Sequence, residues 1–166
     1  MSGPTLHRRP VTRADVVPLI RLGVREDQRG LVAENAVTLA QAAYEPGARV
    51  WGLWDAAAPT ETPVGLLAMI DPREALLDPG DDPAAAYLWR LMIDAAHQRR
   101  GLGRAALAEV EAQARLWGLP RVAAGVVERE GSALPFYERH GYRRTGRVID
   151  GEIEIVRDLA PLASQS

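Results

Sequence analysis

Apolar residues recur along the chain with two different periods, and the changes of period divide it into elements. Val16, Leu19 and Ile20 share one face of a helix that Thr12 can cap, with Asp15 at the capping-box position. That helix runs to about Leu22, and Gly23 interrupts it. Asn35–Ala43 predicts a second helix carrying Val37, Leu39 and Ala40, stopped by Glu45-Pro46-Gly47-Ala48. The apolar runs Arg49–Trp54 and Val64–Ile70 predict a hairpin across a loop at 55–63, with Gly65 marking a bulge or a close approach. Residues 71–83 hold four prolines or glycines and five acids, so they predict a surface loop. Tyr87–Ile93 predicts a third strand, ending at Asp94. Leu102, Ala106, Val110, Ala114 and Trp117 follow at spacings of four, four, four and three, the stripe of an amphipathic helix over 102–117. Gly118 and Pro120 end it. A strand over Val122–Val127, a short helix over Ser132–His140 with Gly141 as its cap, and strands Tyr142–Thr145 and Ile153–Leu159 around a turn at 146–151 complete the pattern.

This order predicts one α/β domain over residues 11–159, a mixed, mostly antiparallel sheet flanked by helices, with 1–10 and 160–166 as flexible termini. A chain of 166 residues with 47% hydrophobic and 25% charged content can bury a core of its own. The net charge of −2 gives no electrostatic reason to expect nucleic acid as a partner. Without cysteine, disulfides, thiolate metal sites and cysteine nucleophiles are excluded. His7, His97 and His140 are dispersed, so no metal site is expected. The opening MSGPTLHRRP lacks the apolar core of a signal peptide, and no window approaches a membrane span; the expected location is cytoplasmic, away from membranes.

QRRGLG, residues 98–103, joins a strand to the long helix. The first turn of a helix offers unsatisfied N–H groups, and Gly101 and Gly103 leave them approachable. Arg99, Arg100 and Arg104 add positive charge, so the stretch suits a pyrophosphate. It matches neither the dinucleotide fingerprint nor a GK[ST] loop. The alternative is a tight turn eased by glycine and decorated with solvated arginines.

QRRGLGRA resembles the acyl-CoA signature Q/R-x-x-G-x-G/A of the GCN5-related N-acetyltransferases. YLWRLMID at 87–94 resembles the strand before that signature, and ALPFYERHGYRRTG at 133–146 the family's later helix and strand. VAENAVTLAQA at 32–42, YEPGA at 44–48, WRLMID and DGEIEIV at 150–156 are similar to the bacterial spermine/spermidine (diamine) acetyltransferases. The resemblance implies acetyl-CoA as co-substrate. Leu91, Met92 and Ile93 would meet its pantetheine arm through their backbone. Arg99, Arg100, Gly101, Leu102, Gly103 and Arg104 would surround the pyrophosphate, and Tyr137 would protonate the leaving thiolate. Where the family carries asparagine, seven residues before that tyrosine, this chain has Glu130, which cannot donate the amide's hydrogen bonds. Either Ser132 takes over part of that role or the arm is held less firmly.

Acetyl transfer needs a neutral amine, a polarised carbonyl and a stabilised leaving group. Backbone amides near Ile93 could polarise the carbonyl. A polyamine is protonated at neutral pH, so a base is required. Glu34 is the first candidate base, although a carboxylate beside a helix N-terminus is favourable in its own right. Asp94 either serves here or fixes the turn before His97. Glu152 and Glu154 alternate with Ile153 and Ile155 and so share one strand face, towards solvent or towards the amine. Trp51, Trp54 and Trp89 read as core, with Trp89 alternatively walling the amine channel. Arg143, Arg144 and Arg147 are accounted for by a solvated surface. The acids of the 71–83 loop favour a cationic acceptor. The expected function is transfer of acetyl from acetyl-CoA to a primary amine by direct attack, with a polyamine such as spermidine or spermine first. Two alternatives stay open: another cationic amine (antibiotic, amino acid or peptide N-terminus), or a regulatory protein that binds acyl-CoA without turnover. A homodimer paired through the closing strands is a further expectation.

Overall fold

The computed structural model describes residues 3–58 and 62–161. Within them the strands are β1 (Leu6–Pro10), β2 (Ala48–Asp55), β3 (Gly65–Ile70), β4 (Ala85–Ile93), β5 (Arg121–Val127), β6 (Arg143–Ile149) and β7 (Glu152–Asp158). The helices are α1 (Val16–Ile20), α2 (Asn35–Ala42), α3 (Leu102–Leu116) and α4 (Leu134–Arg139). The sheet runs β1-β2-β3-β4-β5-β7-β6, and every pair is antiparallel except β4 with β5. The mixed, mostly antiparallel α/β domain is therefore as the pattern predicted. The expected terminus 160–166 lies outside the described residues from 162 onward, as does part of the 55–63 loop, at 59–61.

Leu6–Pro10 corrects the expectation of a flexible amino-terminal segment over 1–10. It pairs with β2, Leu6 opposite Asp55 and Pro10 opposite Trp51. Only Leu6 of this strand is buried, so LHRRP carries no apolar alternation to read. Its other anchor is polar: Arg8 pairs with Glu109 on α3 and donates to Gln113.

Two layers of helix cover the sheet. α3 and α4 send Leu102, Ala106, Leu107, Val110, Leu134 and Tyr137 against Leu53, Leu67, Met69 and Leu88 on one face. Leu19 of α1 and Leu39 of α2 pack with Leu66, Ala68 and Met92 on the other. Gly65 is the site of close approach, not of a bulge: a Cβ there would collide with the Met92 carbonyl. The bulge lies across the ladder in β4, where the register shifts and Trp89 is the extra residue. β6 runs further than expected, to Ile149, so the turn shrinks to Asp150 and Gly151, both at positive φ.

The feature that shapes the site is the parallel pair. β4 and β5 are joined only from Ala85↔Arg121 to Leu88↔Ala124. Beyond Leu88, Trp89–Ile93 have no partner on the β5 side, and the sheet opens there.

Candidate active site

The opening leads from β4 into the 98–103 loop. Arg99 holds φ 60° and Gly101 φ 78°, flanking Arg100, whose φ is not positive. An alternation of this kind curls successive N–H groups towards one side, a concavity that accepts anions. Gly101 is required by its left-handed backbone at the N-cap of α3. Gly103 has a different reason: a Cβ there would stand 3.2 Å from Phe136 of α4, so its bareness serves helix packing. The three arginines also separate. Arg100 donates to Asp55 at 2.6 Å and lies 3.1 Å from His97 Nδ1. Arg99 and Arg104 are exposed and have no ion pair with a described residue. These two, with the α3 N-terminus, are the free positive charge of the loop, and the set fits a pyrophosphate.

Asp55 is buried and held ionised, well below its ordinary value of 3.8, first by the Ala57 N–H and then by the Arg100 guanidinium. A depressed carboxylate stabilises the fold above its unfolded pKa, and that contribution is lost as pH falls through the folded value. Asp55→Asn is therefore expected to lower the denaturation midpoint at pH 7, and the difference from the parent should shrink once the pH falls below the ordinary carboxylate value of 3.8 and on through the lower folded value. Urea unfolding at neutral and at acid pH measures it. A gap that persists unchanged in acid would mean that the carboxylate's charge is not what counts.

Leu91 and Ile93 lean towards the α3 and α4 side of the opening, and Met92 towards α1 and α2. The Ile93 carbonyl accepts from Gln98 Nε2 at 3.0 Å, and the same nitrogen donates to Gln28 at 2.8 Å, which ties the loop before α2 to β4. Asp94 fixes the turn, accepting from Ala96 N and from Gly23 N at 2.9 Å. Ser132 Oγ accepts from Leu134 N at 3.1 Å and so starts α4, while Glu130 is exposed.

Tyr137 stands on the α3 and α4 face, edge-on to Phe136 and Tyr142 at 5.4 and 5.3 Å between ring centroids. It is buried, its hydroxyl makes no hydrogen bond to a described residue, and burial pushes its pKa up. It therefore stays protonated, the state a proton donor needs.

On the opposite face, α2 lies across β4. Asn35 donates to Leu19 O at 2.8 Å and touches Met92 sulfur at 3.6 Å. Glu34, just before it, is exposed at the α2 N-terminus and makes no capping bond with its side chain. Tyr87, Arg90 and Glu152 gather below, a cluster that sequence reasoning did not assemble. Gly125 lies one residue beyond the last β4–β5 pair, and Glu152 Oε2 and Tyr87 Oη occupy the space where its Cβ would be. Burial and the Glu152 carboxylate raise the Tyr87 pKa, and burial pulls Arg90 down. The Glu152 carboxylate has no hydrogen bond or ion pair with a described residue. Glu154, its neighbour on the same face, is occupied by Arg147 and Thr145.

A cavity of about 370 Å³ lies at the paired end of β4 and β5, between Tyr87, Thr145, Glu154 and Leu76–Asp78. Of the acids that line it, Asp82 pairs with Arg121, and Asp81 and Glu154 share Arg147, while Asp71 in the same loop pairs with Arg73. Arg143 and Arg144 are paired as well, with Asp158 and with Glu128 and Glu138. Trp51 and Trp54 are buried, and Trp89 is half-buried against the α1 side. Among the described residues, no cluster of three His, Asp or Glu could hold a metal, and no helix is long and apolar enough to cross a membrane.

Residues 26–142 match the model of the acetyltransferase (GNAT) family. The chain belongs to that family and is an acetyl-CoA-dependent acetyltransferase. It is similar to the crystal structure of an acetyltransferase from Thermus thermophilus, at 28% identity and TM-score 0.71, covering 96% of this chain and 100% of that one. The GNAT domain of S. lividans PAT aligns at 19% identity and TM-score 0.69, over 93% and 90% of the two chains. The PaiA N-acetyltransferase from Thermoplasma acidophilum, solved with coenzyme A, aligns at 16% identity and TM-score 0.63, over 96% and 100%. At those two identities the likeness is one of fold. No curated protein matches the chain.

Proposed function

We propose that the protein acetylates a small primary amine by direct attack, with its acid and base on opposite faces of the β4–β5 opening. The observation that carries this reading is a pair of polar groups without partners among the described residues, the Tyr137 hydroxyl on one face and the Glu152 carboxylate on the other. Acetyl-CoA supplies an acetyl group activated as a thioester. Leu91–Ile93 would line its arm, and Arg99, Arg104 and the N–H groups of 99–104 its pyrophosphate. Glu152 takes the proton from the ammonium, so that the nitrogen lone pair can bond to the acetyl carbon. As the carbon–sulfur bond breaks, Tyr137 Oη delivers a proton to sulfur. Glu34, at the rim of the same face, is the alternative base.

Among acceptors, the stretches at 32–48 and 150–156 support a polyamine such as spermidine or spermine. The acidic loop no longer adds to that support, because arginines neutralise it. The test is release of CoA thiol from acetyl-CoA with the purified protein, against spermidine, spermine, putrescine, amino acids, an aminoglycoside and a peptide N-terminus. Turnover on a primary amine is expected. Binding of acetyl-CoA with no turnover on any amine would overturn the reading and leave a regulatory role.

A further inference from the structure

Arg90 sits in the β4 bulge beside Trp89, on the face from which the amine would come. Its Nη1 donates to the Trp89 carbonyl at 2.9 Å and its Nη2 reaches Gln41 of α2 at 3.4 Å. The guanidinium lies 4.7 Å from the Trp89 ring centroid. Its Nε is buried and has no hydrogen-bond partner among the described residues. Every other partly buried arginine among the described residues holds a carboxylate: Arg8 has Glu109, Arg25 Asp27, Arg115 and Arg157 Glu111, Arg121 Asp82, and Arg147 Glu154. Arg90 alone has none.

A half-buried guanidinium with an idle donor calls for an anion, and a carboxylate matches its planar fork. The protein's own nearest carboxylate does not meet the need. Glu152 is close enough for its charge to be felt at Arg90, yet the two do not form an ion pair. Opposite charges thus face the same end of the opening, each without an ion-pair partner among the described residues. A polyamine would satisfy Glu152 and leave Arg90 buried beside a further cation. A molecule bearing both charges would satisfy the two together.

We propose that Arg90 and Glu152 form a zwitterion receptor, and that the acceptor is a free amino acid whose carboxylate binds Arg90 while its amine lies at Glu152. This rests on the acetyl-transfer reading above and, within its class of small primary amines, puts an amino acid in place of the polyamine as acceptor. Tyr87, leaning over Gly125 with Glu152, forms the floor of the receptor.

The experiment compares matched acceptors that differ in the carboxylate alone: lysine with cadaverine, ornithine with putrescine, methionine with methioninamide. One carboxylated member is expected to exceed its partner by about 10- to 100-fold in kcat/KM, the worth of a charge-assisted contact. In Arg90→Gln that ratio should fall to near one, chiefly through KM, and Arg90→Lys should restore part of it. Thermal melts confirm that each variant is folded. Titration of the same compounds into the CoA-bound protein gives a readout independent of turnover. Amino-acid binding that Arg90→Gln abolishes supports the receptor even if no amine is acetylated, in which case the transfer reading alone fails. Amines lacking a carboxylate that bind or react as well as the amino acids, or a ratio untouched in Arg90→Gln, would overturn it.

Discussion

Tyr137→Phe is expected to lower kcat by about 10²- to 10⁴-fold, the range of a general acid–base contribution, or about 3–5 kcal/mol of barrier. The fold should hardly respond. The hydroxyl has no hydrogen-bond partner among the described residues, so its removal orphans no donor or acceptor. The ring contacts with Phe136 and Tyr142 survive in phenylalanine. Stability should stay within about 1 kcal/mol of the parent. Acetyl-CoA affinity, measured by titration, should change little, since phenylalanine keeps the ring that packs on Phe136 and only the hydroxyl is lost. Tyr142 is the control: its hydroxyl is also buried and unpartnered, and burial raises its pKa too, before the charges of its neighbours. It carries no proposed role, so Tyr142→Phe should leave kcat near the parent's. An equal loss in both variants, with matching loss of stability, would show that the aromatic cluster is merely structural.

Much of this was legible in the sequence alone, and the rest was hidden for identifiable reasons. The long helix declared itself by five apolar positions on one stripe, and four of them are buried as expected, while Trp117 caps its end half-buried. The tight turn of QRRGLG into α3 was legible because glycine acts locally, through backbone conformation, and its reading as a pyrophosphate socket is a proposal that the exposed Arg99 and Arg104 support. Which arginine remains free was not legible, since the partner of Arg100 is Asp55, 45 residues away. The same limit undid the acidic loop. Its carboxylates are neighbours in sequence, but two of the arginines that neutralise them come from β5 and β6. Strand β1 was missed because one buried leucine makes no pattern. The bulge at Trp89 was invisible for a related reason: an extra residue in one strand shows only against its partner's register. That bulge is also why Arg90 shares the Trp89 side of the sheet, where simple alternation would have sent it to the other. The placing of Glu152 and Glu154 on one face was correctly read by alternation, but only the fold tells them apart: the Glu152 carboxylate lies over Gly125, and Glu154 is held by Arg147.

Glu152→Gln should reduce kcat/KM at neutral pH by about 10²- to 10⁴-fold, while Glu34→Gln should cost no more than a few-fold. The two carboxylates lie on the same face, and the difference between them is burial and position. Glu34 is exposed at the start of α2, where water can serve in its place. Glu152 is partly buried over Gly125, at the residue where β5 leaves β4. A proton taken there has one carboxylate to go to: Glu154 is engaged by Arg147, and Tyr87 is kept protonated by burial and by Glu152 itself. Glutamine keeps the volume and removes the basicity, so the variant tests chemistry and not packing. Gly125→Ala tests position with the carboxylate retained. Its Cβ would collide with Glu152 Oε2 and stand 3.0 Å from Tyr87 Oη, so the carboxylate must swing away. Its expected signature is a fall in kcat/KM approaching that of Glu152→Gln, and little further loss when the two changes are combined, because both act through one group. Independent, additive losses would assign Gly125 to packing. A collapse in Glu34→Gln with Glu152→Gln still active would move the base to the rim of α2, and the acceptor's amine with it.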